Sequence, residues 1–163
     1  MSIAGKYSMA ELLAQFPRAG TIEWIGVRPV RRQPMKILQK AEIKNFGLVG
    51  DHRTKPGKRA VTLIQAEHLP VIAALVGRAE IDPALLRRNI VVSGINLLGL
   101  KDRTFRLGTA ILQGKGLCAP CSRMEEEFGA GGYNAVRGHG GIIATVIEEG
   151  AVSLGDRLEF IAD

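Results

Sequence analysis

At 163 residues, 46% of them apolar and 23% charged, the chain has the length of one domain with a sizeable core. No stretch approaches the roughly 18 consecutive apolar residues of a membrane span, and its two cysteines are too few for a disulfide framework or an all-cysteine zinc site. A net charge of +6 and a pI near 9.7 favour acidic partners, whether phosphates, anionic cofactors, nucleic acid or a membrane surface, without choosing among them.

Residues 1–20 show no basic segment leading into a long apolar one, so no secretory signal is expected, and the cytoplasm with reduced thiols is the expected compartment. Ser8 to Gln15 reads as a turn or two of helix with Met9, Leu12 and Leu13 on one face. Residues 1–19 are read as a helical extension packed on a domain spanning 20–163. Beyond it, glycines cut the chain into short apolar runs, the pattern of a many-stranded β protein. The predicted strands are Thr21 to Pro29, with Ile22, Trp24 and Val27 pointing inward, then Ile37 to Phe46, Ala60 to Gln65 and Asn89 to Ser93. Thr104 to Leu107, Ala110 to Lys115, Ile142 to Ile147 and Arg157 to Ile161 follow, all rich in the β-branched and aromatic residues that suit pleated surfaces. Helices are few. Ala66 to Val76 is the best of them, with Pro70 confined to its first turn. Asp82-Pro83 opens a short one towards Arg87, and Ser122 with Glu125 has capping-box spacing, closed by Phe128-Gly129. The fold class expected is mostly β, a closed or partly closed barrel with small helices closing it.

Several residue groups carry chemistry. Cys118-Ala119-Pro120-Cys121 holds both cysteines, and Cys121 stands where a helix begins, beside Arg123. Free N–H groups and a nearby guanidinium favour a thiolate, although Glu125 to Glu127 push the other way. A buried structural cysteine, a reversible dithiol pair and a zinc ligand are the alternatives, but His52, His68 and His139 lack ligand spacing, so no zinc is expected. Arg87-Arg88-Asn89, at a helix-to-strand junction, has the forks and amide to hold a phosphate or carboxylate, or is a solvated charge pair. Gly47 to Arg53 forms a glycine-bracketed polar loop containing His52 and Arg53. It leads into Lys55-Pro56-Gly57-Lys58-Arg59, an anion funnel or a soluble hairpin tip. No interleaved aromatics accompany that basic run, so nucleic acid is not the expected partner. Arg137-Gly138-His139-Gly140-Gly141 is either a flexible turn or a glycine-lined approach to an anion clamped by Arg137, and it is not a Walker loop.

In this order the groups resemble the MOSC domain, the C-terminal domain of molybdenum-cofactor sulfurases, over roughly 20–161. The resemblance rests on Gly47-Leu48-Val49-Gly50-Asp51-His52, Val61-Thr62-Leu63-Ile64, the run Arg87 to Leu97, Cys118-Ala119-Pro120-Cys121, Arg137 to Gly141 and Gly155-Asp156. It implies a barrel-like fold and a molybdenum cofactor, a phosphate-bearing pterin dithiolene. Cys121 aligns with the family's recurrent cysteine, a sulfur carrier or molybdenum ligand. In relatives that reduce N-hydroxylated compounds, that cysteine ligates the metal. By the same resemblance Arg87, Arg88, Asn89 and Arg137, with His52 and Arg53, line the cofactor pocket. Neither the pyridoxal-phosphate desulfurase domain of the sulfurases nor the separate N-terminal barrel of the longer reductases is read in these 163 residues, so extraction of sulfur from free cysteine is not expected of them alone.

The function expected is therefore a cofactor-dependent oxidoreductase with Cys121 on molybdenum, served by a separate electron-transfer protein. The alternatives are a Cys121 persulfide carrier served by a sulfur donor, and a non-enzymatic cofactor-binding module. Substrate and oligomeric state are left open by the sequence.

Overall fold

The computed structural model of the protein describes residues 5–162. Strand β1 (Gly20–Val27) shows how the wall is built. Plain alternation from Ile22 would send Trp24 inward, but the pairing register with the neighbouring strand shifts between Ile22 and Trp24. Such a bulge reverses which face the following residues occupy. Ile22, Ile25 and Val27 consequently line the core, while Trp24 turns outward against a second cluster. The expectation of an inward Trp24 is thereby corrected.

The remaining barrel strands are β5 (Val61–Gln65), β6 (Ile90–Ser93), β7 (Thr104–Leu107), β8 (Ala110–Leu117), β9 (Ile142–Glu148) and β11 (Arg157–Phe160). They join β1 in the order β11-β7-β8-β9-β5-β6-β1, and the β11–β1 pairing closes a seven-stranded ring. Strand β2 (Lys36–Leu38) hangs on the end of β1. All these pairs are antiparallel except β5–β6. Parallel neighbours need a crossover, and residues 66–89 supply it through α2 (His68–Val76) and a 3₁₀ turn, Pro83–Leu86.

Two cores result. Leu63, Ile90, Val92, Phe105, Leu112 and Leu158 fill the barrel. On its outside, Ile64 of β5 and Val91 of β6 meet Ile72 of α2, Met124 of α3 (Ser122–Phe128) and Val136 of α4 (Gly132–Val136). Burial on both faces explains why Val61 to Ile64 is a continuous run without alternation. Fully burying each such side chain contributes about 1.5–3 kcal/mol.

Elsewhere the chain departs from the predicted elements. The single strand expected over Ile37 to Phe46 breaks into β2 and β3 (Lys40–Lys44), and β3 leaves the barrel to pair with β4 (Gly47–Leu48) and β10 (Gly150–Ser153). Strands β4 and β10 and helix α4 are short and glycine-bearing, so local propensity gave no signal for them; pairing partners create them. The helix α1 (Met9–Leu13) carries the capping box, Ser8 with Glu11, and buries none of its own residues. Its segment is fastened by Phe16, which stacks on Phe160 with ring centroids 5.0 Å apart.

At α3 the expected Ser122–Glu125 box does not form. Cys121 is the N-cap, Ser122 is the first helical residue, and no side chain closes the cap. The Glu125 carboxylate instead accepts the backbone N–H groups of Gly131 and Tyr133, each at 3.0 Å, and ties α3 to α4. The Tyr133 N–H, then that of Gly131, holds its pKa below the ordinary glutamate value. A lowered folded pKa means stability gained above the unfolded value and lost as pH falls through the folded one. Glu125→Gln should therefore lower the melting temperature at pH 7. The gap to the parent should shrink as pH drops below about 4.3, as followed by thermal melts across an acid series.

Candidate functional site

The 3₁₀ turn Pro83–Leu86 is capped by Asp82, whose Oδ1 accepts the Ala84 N–H at 3.0 Å. It ends at Arg87 in the left-handed region, φ 61°. From there three consecutive polar residues take three paths. Asn89 is buried, and its Oδ1 accepts from Thr62 N and Thr62 Oγ1, both at 3.1 Å. Its Nδ2 donates to Gly26 O at 3.1 Å and to Asp51 Oδ2 at 3.3 Å. Just before β6, the amide is thus committed to Gly26 of β1, Thr62 of β5 and the Asp51 carboxylate.

Arg88 is buried as well, and its guanidinium is spent on backbone carbonyls: Nε to Gly140 at 2.8 Å, Nη1 to Leu86 at 2.9 Å, and Nη2 to Cys118 and Ala119 at 3.3 Å each. The glycines after Arg137 serve the same packing. A Cβ on Gly140 would meet Arg88 Nη2 at 3.0 Å, and Gly141 O accepts the Cys118 N–H at 2.8 Å. Arg88 thus fastens the segment that delivers Cys121.

Arg87 goes the other way. Its Nη1 is buried without a partner, as is Nε of Arg28, one residue beyond β1. Arg28, Arg31, Arg32, Arg123, Ser122 and the exposed Cys121 line a cleft of about 250 Å³. Burial first, then the Arg87 guanidinium, push the Arg28 pKa down, with Arg53 and Arg123 adding to it and Asp51 opposing. The direction therefore reflects burial of the Arg28 guanidinium first and crowding by neighbouring guanidiniums second. The nearest carboxylate contact on the cleft side is weak, Arg123 Nε to Glu126 Oε2 at 3.9 Å. Two of the three non-glycine residues with positive φ among the described residues, Arg32 and Arg87, belong to this cluster. Such strain costs about 1–3 kcal/mol and gathers at functional sites.

Asp51 holds the floor of the cluster. Its nearly inaccessible carboxylate accepts Arg28 N at 2.9 Å and Arg53 Nη1 at 3.1 Å, and it lies 3.3 Å from His52 Nδ1. His52 and Arg53 are therefore turned towards Asp51. Arg137 caps the C-terminal end of α4 and lines a separate cavity of about 160 Å³ with Leu117 to Pro120. Lys55, Lys58 and Arg59 are exposed on their own loop. His68 and His139 meet edge to face, 5.4 Å between centroids.

The structure thus brings Cys121 together with Arg28, Arg31, Arg32 and Arg123, and places Arg87 against Arg28. Sequence reasoning missed Arg28, Arg31, Arg32 and the role of Asp51. A signal was available: three arginines within 28–32, just after a strong strand and beyond Pro29.

A family model described as the MOSC domain matches residues 39–159. Among solved structures, the YUAD protein from Bacillus subtilis is similar with a TM-score of 0.77 at 21% identity, covering 90% of this chain and 98% of that one. YiiM from Escherichia coli gives 0.71 at 20% identity, over 90% and 71% of the two chains. YiiM from Geobacillus stearothermophilus gives 0.72 at 16%, over 88% and 75%. No curated protein matches. The structural likenesses establish the fold, and the family model extends across most of the chain and includes Cys121, Arg87 and Asp51: the chain belongs to the MOSC domain family.

Proposed function

We propose that the protein is a molybdenum-cofactor oxidoreductase that reduces N-hydroxylated compounds, with the pterin phosphate on Arg28 and Arg87 and the Cys121 thiolate as the metal ligand. The family is associated with this cofactor. One observation carries the reading: Arg28 Nε and Arg87 Nη1 are buried donors without partners, on the cluster that borders the exposed Cys121. An unmet buried donor costs about 1–3 kcal/mol, and unneutralised buried charge costs more. A phosphate satisfies both deficits at once, so the residues present fit the group. A soft thiolate likewise suits molybdenum better than a hard oxygen donor.

When bound, the cofactor supplies the two-electron oxygen-atom chemistry. The chain's own residues do the rest. Arg28 and Arg87 neutralise and orient the phosphate, Arg31, Arg32 and Arg123 spread positive charge over the mouth, and Asp51 fixes the backbone of Arg28. Arg88 acts on the loop instead of the ligand. A separate protein delivers the electrons.

The exposure of Cys121 beside a buried Cys118 favours one second reading, a carrier in which Cys121 holds a persulfide. The same cleft would then serve an anionic acceptor.

Arg28→Gln and Arg87→Gln should each weaken cofactor binding by about tenfold to a hundredfold, the scale of one charge-assisted hydrogen bond. Molybdenum and pterin quantified after purification from cofactor-sufficient cells provide the check. Cys121→Ser should keep the pterin and lose reductase activity. Absence of both molybdenum and pterin from the parent protein, even after reconstitution, refutes the reading. One sulfur added at Cys121 by a desulfurase with cysteine, and lost in Cys121→Ala, selects the carrier instead.

Arg88→Lys keeps the charge but cannot span four carbonyls. It should melt lower than the parent while binding cofactor within about threefold of it; Arg87→Gln should do the reverse. Titration calorimetry beside thermal melts separates the two arginines.

A further inference from the structure

Strand β5 has chemically opposite ends. At its head, Thr62 joins the network of Asn89 and Asp51 beside the arginines. Past its tail lies a cavity of about 390 Å³, whose walls include Gln65, His68, Asn96, Leu98, Leu117 and His139. Among the described residues, no lysine, arginine, aspartate or glutamate lines it, in a chain whose net charge is +6. Its volume falls in the range of small-molecule sites, about 300–1,000 Å³.

The polar groups on these walls are few and their directions are set. Gln65 Oε1 accepts the Leu97 N–H at 3.1 Å, and Asn96 Oδ1 accepts the Leu98 N–H at 3.2 Å. Because both partners are donors, each amide oxygen must face its backbone N–H, which leaves each NH₂ as a free donor. His68 and His139 add two flat faces inclined at 71°. Burial, then His139, lower the His68 pKa against the smaller pull of Glu67. Leu98 and Leu117 are each 56% exposed and give the rim its apolar surface.

Among the described lining residues a phosphate or carboxylate would find no lysine or arginine, and a cationic ligand no carboxylate; either would lose hydration with little compensation. A flat neutral ring stacks on imidazole and leucine while its acceptors meet the two NH₂ groups. We propose that this cavity is a second ligand site, distinct from the arginine cleft, which takes an uncharged, flat, two-ring aromatic molecule bearing carbonyl or ring-nitrogen acceptors. The assignment stands independently of the cofactor reading.

Three isosteric probes test it on the full chain: 2-naphthamide, 2-naphthoate and 2-naphthamidinium, titrated while the imidazole resonances of His68 and His139 are followed by NMR. The neutral amide should shift both rings saturably and bind at least about tenfold more tightly than either charged analogue. Leu98→Glu, a change at an exposed rim position, should abolish the amide's shifts without lowering the melting temperature. Equal affinity for all three probes overturns the assignment. So do the lack of any saturable shift, shifts confined to the neighbourhood of Arg28 and Cys121, or binding indifferent to Leu98→Glu. Self-association that buries His68 and His139 also overturns it, since the face would then be a contact between copies of the chain.

Discussion

The left-handed turn at Arg87, φ 61°, is the constraint from which the candidate site follows. A non-glycine residue there costs about 1–3 kcal/mol, and the surrounding hydrogen bonds hold it in place. Beyond that turn, Arg87, Arg88 and Asn89 make separate sets of contacts. Asn89 locks three barrel strands, Arg88 locks the cysteine loop, and only Arg87 keeps an unused buried donor. One strained residue thereby divides a polar tripeptide into a strand junction, a loop clamp and an arginine with an unpaired buried donor.

Stability and function divide along the same line. The Asn89–Thr62–Asp51 and Arg88–carbonyl networks are saturated, as buried polar groups must be if they are to stabilise rather than destabilise a fold. The Arg28–Arg87–Arg123 cluster is unsaturated and repulsive. A fold gains nothing from such crowding. The proposed cofactor phosphate would neutralise that crowding, and the exposed Cys121 thiol lies at its edge.

Much of the fold was legible in the sequence. Thr104–Leu107 is a strand within the predicted bounds, and the glycine-punctuated apolar runs do close into a barrel. Trp24 was misplaced because a bulge shifts register by one residue, which periodicity alone does not record. Ser122 and Glu125 had box spacing, yet Glu125 serves Gly131 and Tyr133, since a carboxylate takes whichever N–H groups the tertiary structure offers. At the candidate site, Cys121 and Arg87 stood out by residue type and context. Arg28, Arg31 and Arg32 did not, because nothing local shows that the end of β1 returns beside the start of α3.

What the sequence by itself determined is the inventory: a basic chain with a cysteine at a helix start, ordered motifs of a MOSC domain, and short apolar strands enough to close a barrel. Those properties are local, written in residue type and spacing. Only the tertiary structure decided which arginine does what. Arg88 and Arg87 are adjacent and chemically identical, and their roles separate solely through backbone direction at one residue and the partners packed around each. Hydrogen-bond satisfaction is a property of the whole fold, so the unpaired donors that point to a ligand exist in no stretch of sequence.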